Sequence, residues 1–225
     1  MKTKLTIEKL ISEAKTFCLN ESKIKSKSLF GITDGKAVGT HIEHKFQNEL
    51  KLKYDTSIGS SAFGIDLPSE DILTDIKVTS VKQPQSSCPF KDAKQKIYGL
   101  GYNLLVFVYD KIDDPKTKTA TLSFVSCSFI SKERTADYTT TFRLREMIID
   151  KANTEDIVAY LNDKNIPADE ITLYQLANQI IENPPVQGYL TISNALQWRL
   201  QYQRIVTLKE SVDGINKIID KQIIE

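Results

Sequence analysis

The clearest hydrophobic pattern in the chain lies in residues 36–54, "KAVGTHIEHKFQNELKLKY". Val38, Ile42, Phe46 and Leu50 recur every four residues, between polar and charged positions. This period places the four apolar side chains on one side of an α-helix, which therefore buries that side. A similar amphipathic pattern predicts an earlier helix over about residues 5–19.

The middle of the chain has patterns typical of strands. Residues 103–110, "NLLVFVYD", form an apolar run of strand length and predict a strand buried on both faces. Residues 119–130, "TATLSFVSCSFI", alternate as a half-buried strand does, and "DDPKTKT" between the two runs has turn composition. Upstream, "KDAKQKIYGLGY" predicts a short helix ended by Gly99 or Gly101. The order predicts a mixed α/β core.

Residues 141–225 have mainly helical patterns. Candidate helices cover residues 141–150, 154–164, 169–182, 193–206 and 209–223. We therefore expect an α/β core with an N-terminal helix in residues 1–140, and a mostly helical C-terminal subdomain in residues 141–225.

Composition excludes several classes of function. The 225 residues are 40% hydrophobic and 26% charged, with a net charge of +1 that indicates no particular partner. No apolar run approaches the roughly 18 residues of a membrane helix, so we expect a cytoplasmic protein that does not bind membranes. Three distant cysteines without a CxxC pair disfavour disulfides and zinc, and His41 and His44 are more typical of solvated or packing residues than of metal ligands. The sequence lacks a phosphate-binding P-loop, so no nucleotide cofactor is expected.

The charged residues of "GIDLPSEDILTDIKVTS" (64–80) raise the question of whether they converge. The segment "PSED" has turn composition, and the residues on both sides suit strands. If Glu70 and Asp71 are the turn residues, residue i pairs with residue 141 − i, and Asp66 lies opposite Asp75. Strand alternation also places Lys77 on the face of Asp75.

Two carboxylates this close repel each other unless a positive charge lies between them. A hard cation would supply it, and Mg²⁺ takes one or two carboxylates together with water and phosphate oxygens. Lys77 at the edge of such a site could hold a water or offset charge on a phosphate. The alternative is a surface hairpin in which Asp and Lys are simple cross-strand partners.

The spacing "GID", eight residues, "DIK" resembles the bipartite motif of the PD-(D/E)xK nuclease superfamily, with Ile65 where that family often has proline. Members commonly add a glutamate from the preceding helix, and "VGTHIEHKFQNEL" resembles that helix. Glu43 takes the place of this glutamate, with Glu49 as the alternative. The resemblance covers roughly residues 36–130.

The resemblance implies a restriction-endonuclease-like core, a mixed sheet flanked by helices. It implies that Asp66, Asp75 and the main-chain carbonyl of Ile76 bind Mg²⁺, that Lys77 assists the attacking water, and that Glu43 binds the metal directly or through water. The implied activity is that of a Mg²⁺-dependent type II restriction endonuclease that cuts double-stranded DNA as a homodimer. A repair nicking endonuclease or junction resolvase of the same superfamily, or a non-catalytic DNA-binding protein, remain alternatives.

Two segments contain candidates for DNA contacts. The first is "VTSVKQPQSS" (78–87), and the second is the predicted helix 193–206, where Trp198 is expected to pack in a core. Their alternative roles are a polar loop and a packing helix. The candidate DNA-binding residues are Lys82, Gln83, Gln85, Gln197, Arg199 and Arg204.

Overall fold

The computed structural model describes residues 2–59, 64–194 and 197–221. The strands are β1 (Thr3–Lys4), β2 (Lys25–Ser26), β3 (Tyr54–Asp55), β4 (Thr74–Ser80), β5 (Gln85–Cys88), β6 (Asn103–Asp114), β7 (Thr119–Ile130), β8 (Thr191–Ser193), β9 (Trp198–Gln201) and β10 (Ile215–Asp220). The α-helices are α1 (Ile7–Glu21), α2 (Gly35–Lys53), α3 (Gln95–Tyr98), α4 (Tyr138–Ile149), α5 (Thr154–Asp163), α6 (Glu170–Glu182) and α7 (Gln203–Val206).

These elements form two compact units that interleave along the chain. The first unit contains the residues up to Gln85, Asn103–Ile130 and the residues from Val206 on, and the second contains Ser86–Tyr102 and Ser131–Ile205. The sequence predicts one boundary, between residues 140 and 141.

The first unit is built around a mixed sheet with the strand order β10-β7-β6-β4. Strand β4 is parallel to β6, while β6–β7 and β7–β10 are antiparallel. The short strand β2 also pairs with β7, at Thr121 and Ala120. Strands β1 and β3 form a separate parallel pair. The predicted mixed α/β fold, with a sheet flanked by helices, is confirmed.

Helices α1 and α2 pack on this sheet through aromatic side chains. Phe17 of α1 and Phe46 of α2 lie 5.0 Å apart between ring centroids, and each ring also contacts that of Phe107 on β6. Such aromatic pairs contribute about 0.5–1.5 kcal/mol each beyond the area they bury. The predicted apolar stripe of α2 is confirmed, since all four of its residues are fully buried. Helix α2 is therefore held rigidly against the sheet.

The segment before β4 confirms the predicted register but not the predicted turn. Leu67 pairs antiparallel with Thr74, as the rule of 141 − i requires. Among the described residues, the two segments pair only at this one bridge. Residues 68–73 connect them, so the predicted two-residue hairpin turn at Glu70 and Asp71 is wrong. The amides of Ile72 and Leu73 donate to the carbonyl of Ser69 and not to a partner strand. This local turn shortens the hairpin.

The second unit combines helices with a small sheet. Helices α4, α5 and α6 confirm three predicted helices, and α3 ends at Gly99, whose φ of 91° favours glycine. Strands β5, β9 and β8 pair in that order. The predicted helix 193–206 is therefore wrong: residues 198–201 form β9, and among the described residues of this range only 203–206 are helical. Trp198, Leu200 and Tyr202 are buried and alternate with more exposed residues, which is a strand period. Leu196, which the predicted helix includes, lies outside the described residues.

The predicted helix 209–223 is also wrong, because Ile215–Asp220 form β10 beside β7. Ile215 and Ile219 are buried, and the register shifts between Lys217 and Ile219. In the residues that the structure describes, no helix is long and apolar enough to cross a membrane.

Candidate active site

One line of residues on α2 faces β4 and is separate from the apolar stripe. Gly39, Glu43 and Gln47 follow one another at intervals of four, so they share one side of the helix. A Cβ at Gly39 would lie 3.3 Å from the carbonyl oxygen of Val78, so the helix approaches the strand closely at this point. Glycine here lets α2 bring Glu43 and Gln47 to the motif strand.

Strand β4 presents the second set of charged groups. Asp75 and Lys77 lie two residues apart and form an ion pair, with 2.7 Å between Lys77 Nζ and Asp75 Oδ2. The Asp75 side chain is 6% exposed and that of Lys77 is 20% exposed, so Lys77 is the more accessible side chain of the pair. Between them, Ile76 packs in the core. The predicted placement of Asp75 and Lys77 on one face is confirmed.

Asp66 joins the helix and the strand. Its Oδ1 accepts a hydrogen bond from Gln47 Nε2 at 2.9 Å, and its Oδ2 accepts one from the backbone N–H of Ile76 at 2.7 Å. The Asp66 carboxyl is also close enough to share hydrogen bonds with the carboxyls of Glu43 and Asp75. The structure thus brings Glu43, Asp66, Asp75 and Lys77 together, as predicted from the sequence.

Gln47 was missed by sequence reasoning, although it is buried and contacts Asp66 directly. Its Nε2 also lies 3.4 Å from Glu43 Oε1. The available signal was its position four residues after Glu43. This signal is weak, because glutamine is common in helices and Gln47 does not belong to the apolar stripe that identifies the buried side of α2.

Burial sets the electrostatics of the cluster. It raises the pKa of Asp75 to about 7, an effect that the ion pair with Lys77 opposes. Burial likewise raises the pKa values of Asp66 and Glu43 above their ordinary range, while hydrogen bonds and Lys77 act in the opposite direction. The single ammonium group of Lys77 thus does not balance the negative charge that the three carboxyls would carry if all were ionised at neutral pH.

The donor set fits a hard divalent cation. Asp66 and Asp75 offer carboxylate oxygens, which Mg²⁺ prefers in proteins. The N–H of Ile76 points to the edge of β4 where Asp66 lies, and in a strand the carbonyl of the same residue points to the same side. Among the described residues, no three His, Cys, Asp or Glu side chains by themselves form a group able to hold a metal ion. Two carboxylates, the Ile76 carbonyl and water match the usual ligands of Mg²⁺.

The structure places the two candidate helix glutamates differently. Glu43 faces the motif strand, where both Asp66 and Lys77 act on it. Glu49 lies near Lys53 at the C-terminal end of the helix, where its charge favours the protonated form of Lys53. Glu43 is therefore the carboxylate that α2 brings to the cluster, while His41 and His44 on the same helix are exposed.

The first group of candidate DNA-binding residues follows β4 directly. Lys82 and Gln83 are exposed in a turn, and Gln85 is half-buried at the start of β5. Thr79 Oγ1 contacts the carbonyl oxygens of Gln83 and Gln85 at 3.2 and 3.1 Å, and accepts from the Gln85 N–H at 3.2 Å. This hydroxyl fixes the backbone of the turn and leaves its long side chains at the surface.

The second group lies in the second unit. Gln197 and Arg199 are exposed, Arg199 on the outward face of β9. The Arg204 guanidinium lies 3.7 Å from the ring centroid of Tyr138, so cation–π contact fixes its plane. Trp198 is buried, as predicted for a packing residue, and its Nε1 donates to Gln95 Oε1 at 2.9 Å.

Comparison with known proteins gives a consistent result over nearly the whole chain. The family model described as "Type II restriction enzyme NspV" matches residues 4–217. The type II restriction enzyme NspV of Nostoc sp. is 53% identical over 213 residues, which cover 95% of this chain and 96% of that protein. No solved structure matches. An acidic cluster with a lysine, in a mixed α/β fold of matching length, thus occurs in a chain that belongs to the NspV family of type II restriction enzymes.

Proposed function

We propose that this protein is a Mg²⁺-dependent site-specific endodeoxyribonuclease of the PD-(D/E)xK superfamily. The observation that carries the proposal is the meeting of Asp66, Asp75 and Lys77, with Glu43 beside them, at one end of the motif strand. Membership in a family of type II restriction enzymes supports double-stranded DNA as the substrate. The reaction is hydrolysis of a phosphodiester bond, in which the oxygen of water attacks phosphorus and the bond to the leaving oxygen breaks.

Asp66, Asp75 and the Ile76 carbonyl would hold the ion, with Glu43 contributing directly or through water. When bound, Mg²⁺ supplies positive charge that favours ionisation of water and offsets charge developing on the phosphate. The chain's own contribution is to hold these oxygens in place before substrate arrives. The backbone N–H of Ile76 fixes Asp66, and Lys77 fixes Asp75.

Lys77 has a second role toward the substrate. Its ammonium group is anchored by Asp75 at 2.7 Å, and its side chain is partly accessible while Asp75 is buried. A cation in that position can orient the attacking water and stabilise negative charge on the phosphate in the transition state. Lys77 is therefore assigned to the water and the phosphate, and Asp75 to the metal.

A homodimer accounts for cleavage of both strands. A symmetric DNA site needs two catalytic centres related by a two-fold axis, and a C2 dimer supplies them. The described residues of one chain contain one such candidate centre, so a dimer would contain two. Base reading is assigned to Gln197, Arg199 and Arg204, which are exposed and have planar hydrogen-bonding groups. DNA contacts of the turn after β4 are assigned to the exposed Lys82 and Gln83 and to the half-buried Gln85.

Incubation with phage DNA tests the proposal. Discrete fragments should form with Mg²⁺, and none with EDTA or with Asp75→Asn. Light scattering of the intact protein should give the mass of two chains. Nicked circles alone would overturn two-strand cleavage, and a mobility shift without any cleavage would overturn the catalytic assignment.

A further inference from the structure

The side-chain amide of Gln47 on α2 donates a hydrogen bond to Asp66, and it has no role in the mechanism above. We infer that Gln47 is a positioning residue that fixes the Asp66 carboxylate for metal binding. The inference rests on the proposed function, because it concerns the same site and takes Asp66 as a ligand of the divalent cation.

The hydrogen bonds of Asp66 determine its orientation. One oxygen accepts from Gln47 Nε2 at 2.9 Å and the other from the N–H of Ile76 at 2.7 Å. Because these two donors bind different oxygens, the plane of the carboxylate cannot turn without breaking a hydrogen bond. Each carboxylate oxygen has a second lone pair, so a cation that takes the place of the protons shared with Glu43 and Asp75 can bind without displacing Gln47 or the Ile76 N–H.

Gln47 is itself held firmly. Gln47 is only 7% exposed. The neighbouring Phe46 packs against Phe17 and Phe107, with ring centroids 5.0 and 5.2 Å apart. Two turns earlier, Gly39 lets the same helix approach β4. A donor on a rigid helix retains its position when the ion leaves, so the site is organised before metal binding.

The chemistry of an amide suits this position. A carboxylate at residue 47 would add a further negative charge beside Glu43, Asp66 and Asp75, and a lysine would compete with the cation for Asp66. A neutral N–H donor orients Asp66 and favours its ionised form without either effect. Partners of this kind behind a metal ligand typically change metal affinity about 10–100-fold.

The test replaces Gln47 with methionine, which is close to glutamine in length and helix propensity but has no N–H donor in its side chain. Mn²⁺ binding to the DNA-free protein is measured by calorimetry. Gln47→Met should weaken Mn²⁺ binding at least about tenfold. The Mg²⁺ concentration for half-maximal cleavage should rise by a similar factor, while the rate at saturating Mg²⁺ stays close to that of the wild type.

Asn48→Met is the matched control, since Asn48 is the next residue of the same helix and its side chain is exposed. It should leave Mn²⁺ affinity unchanged. Urea unfolding in EDTA checks that each variant is folded, and if Gln47→Met does not fold, Gln47→Ala takes its place.

Equal Mn²⁺ affinities of the Gln47 variant and the wild type would overturn the inference, and Asp66→Asn separates it from the proposed function. If Asp66→Asn abolishes Mn²⁺ binding and Gln47→Met leaves it intact, the positioning role is wrong and the metal site stands. If Asp66→Asn also binds Mn²⁺ normally, the proposed site itself is wrong. A loss of cleavage that saturating Mg²⁺ does not restore would also contradict a role limited to orienting Asp66.

Discussion

Replacing Asp75 with asparagine should make the metal-free protein more stable at pH 8 and at the same time abolish cleavage. Burial raises the pKa of Asp75 to about 7, whereas an aspartate in an unfolded chain titrates near 3.9. Between about pH 4 and pH 7 the folded state therefore binds more protons than the unfolded state. The contribution of Asp75 to stability is greatest below this window and is lost as the pH rises through it.

The difference between the two pKa values corresponds to a loss of about 4 kcal/mol in the free energy of unfolding by pH 8. An asparagine side chain resembles protonated Asp75 in shape and is likewise uncharged. Like protonated Asp75, it gives Lys77 no ionised partner. Asp75→Asn should thus match the wild type near pH 4 and exceed its stability increasingly toward pH 8. The difference should grow by at most about 1.4 kcal/mol per pH unit.

Urea unfolding in EDTA from pH 4 to pH 8 measures this effect. Asp163→Asn, an exposed aspartate at the end of α5, is the control and should leave the pH dependence unchanged. Added Mg²⁺ should stabilise the wild type but not Asp75→Asn, because only the wild type retains both carboxylates. Parallel stability curves for wild type and Asp75→Asn would refute the claim that burial raises the pKa of Asp75.

Three further substitutions test other parts of the structure. Lys77→Ala should reduce cleavage in gel assays at least about 100-fold while preserving DNA binding in Ca²⁺; near-normal cutting would exclude its role. Gly39→Val should destabilise the protein by about 1–3 kcal/mol in urea and impair cleavage, since even a Cβ there lies 3.3 Å from a backbone oxygen, whereas Gly35→Val, with open space around it, should not. Trp198→Ala should cost about 3–5 kcal/mol and lower the melting temperature. Arg199→Ala should instead leave the melting temperature unchanged and weaken cognate binding by about 1–3 kcal/mol, more than binding to random duplexes; equal losses would make it a backbone contact.

The parts of the site that depend on local order could be predicted from the sequence. Pairing of Leu67 with Thr74 follows from the turn composition of residues 68–71, and strand alternation then places Asp75 beside Lys77. The four-residue period of α2 likewise brings Glu43 to the same side as Gly39. These inferences need only the spacing of neighbouring residues.

The errors arose where distant segments decide the structure. Residues 215–220 become a strand because β7 offers them an edge, which no local pattern reveals. In residues 198–202 an alternating pattern was present, but "LQWRLQYQ" also suits a helix, and pairing with β8 decided between the two. Gln47 was not identified because its importance comes from Asp66, nineteen positions away.

The edge of β7 opposite β6 is covered by two short segments from distant parts of the chain. Strand β2 pairs with Ala120 and Thr121, and β10 pairs with Ser126–Ile130. A ribosome makes β10 only after the whole second unit, so the emerging polypeptide holds β7 with half of its hydrogen-bonding edge open until residues 215–220 appear. Open strand edges recruit other strands and promote aggregation, and such a delay favours chaperone binding. For a DNA-cutting protein, this order of synthesis also means that the sheet beneath the proposed catalytic groups is finished late in translation.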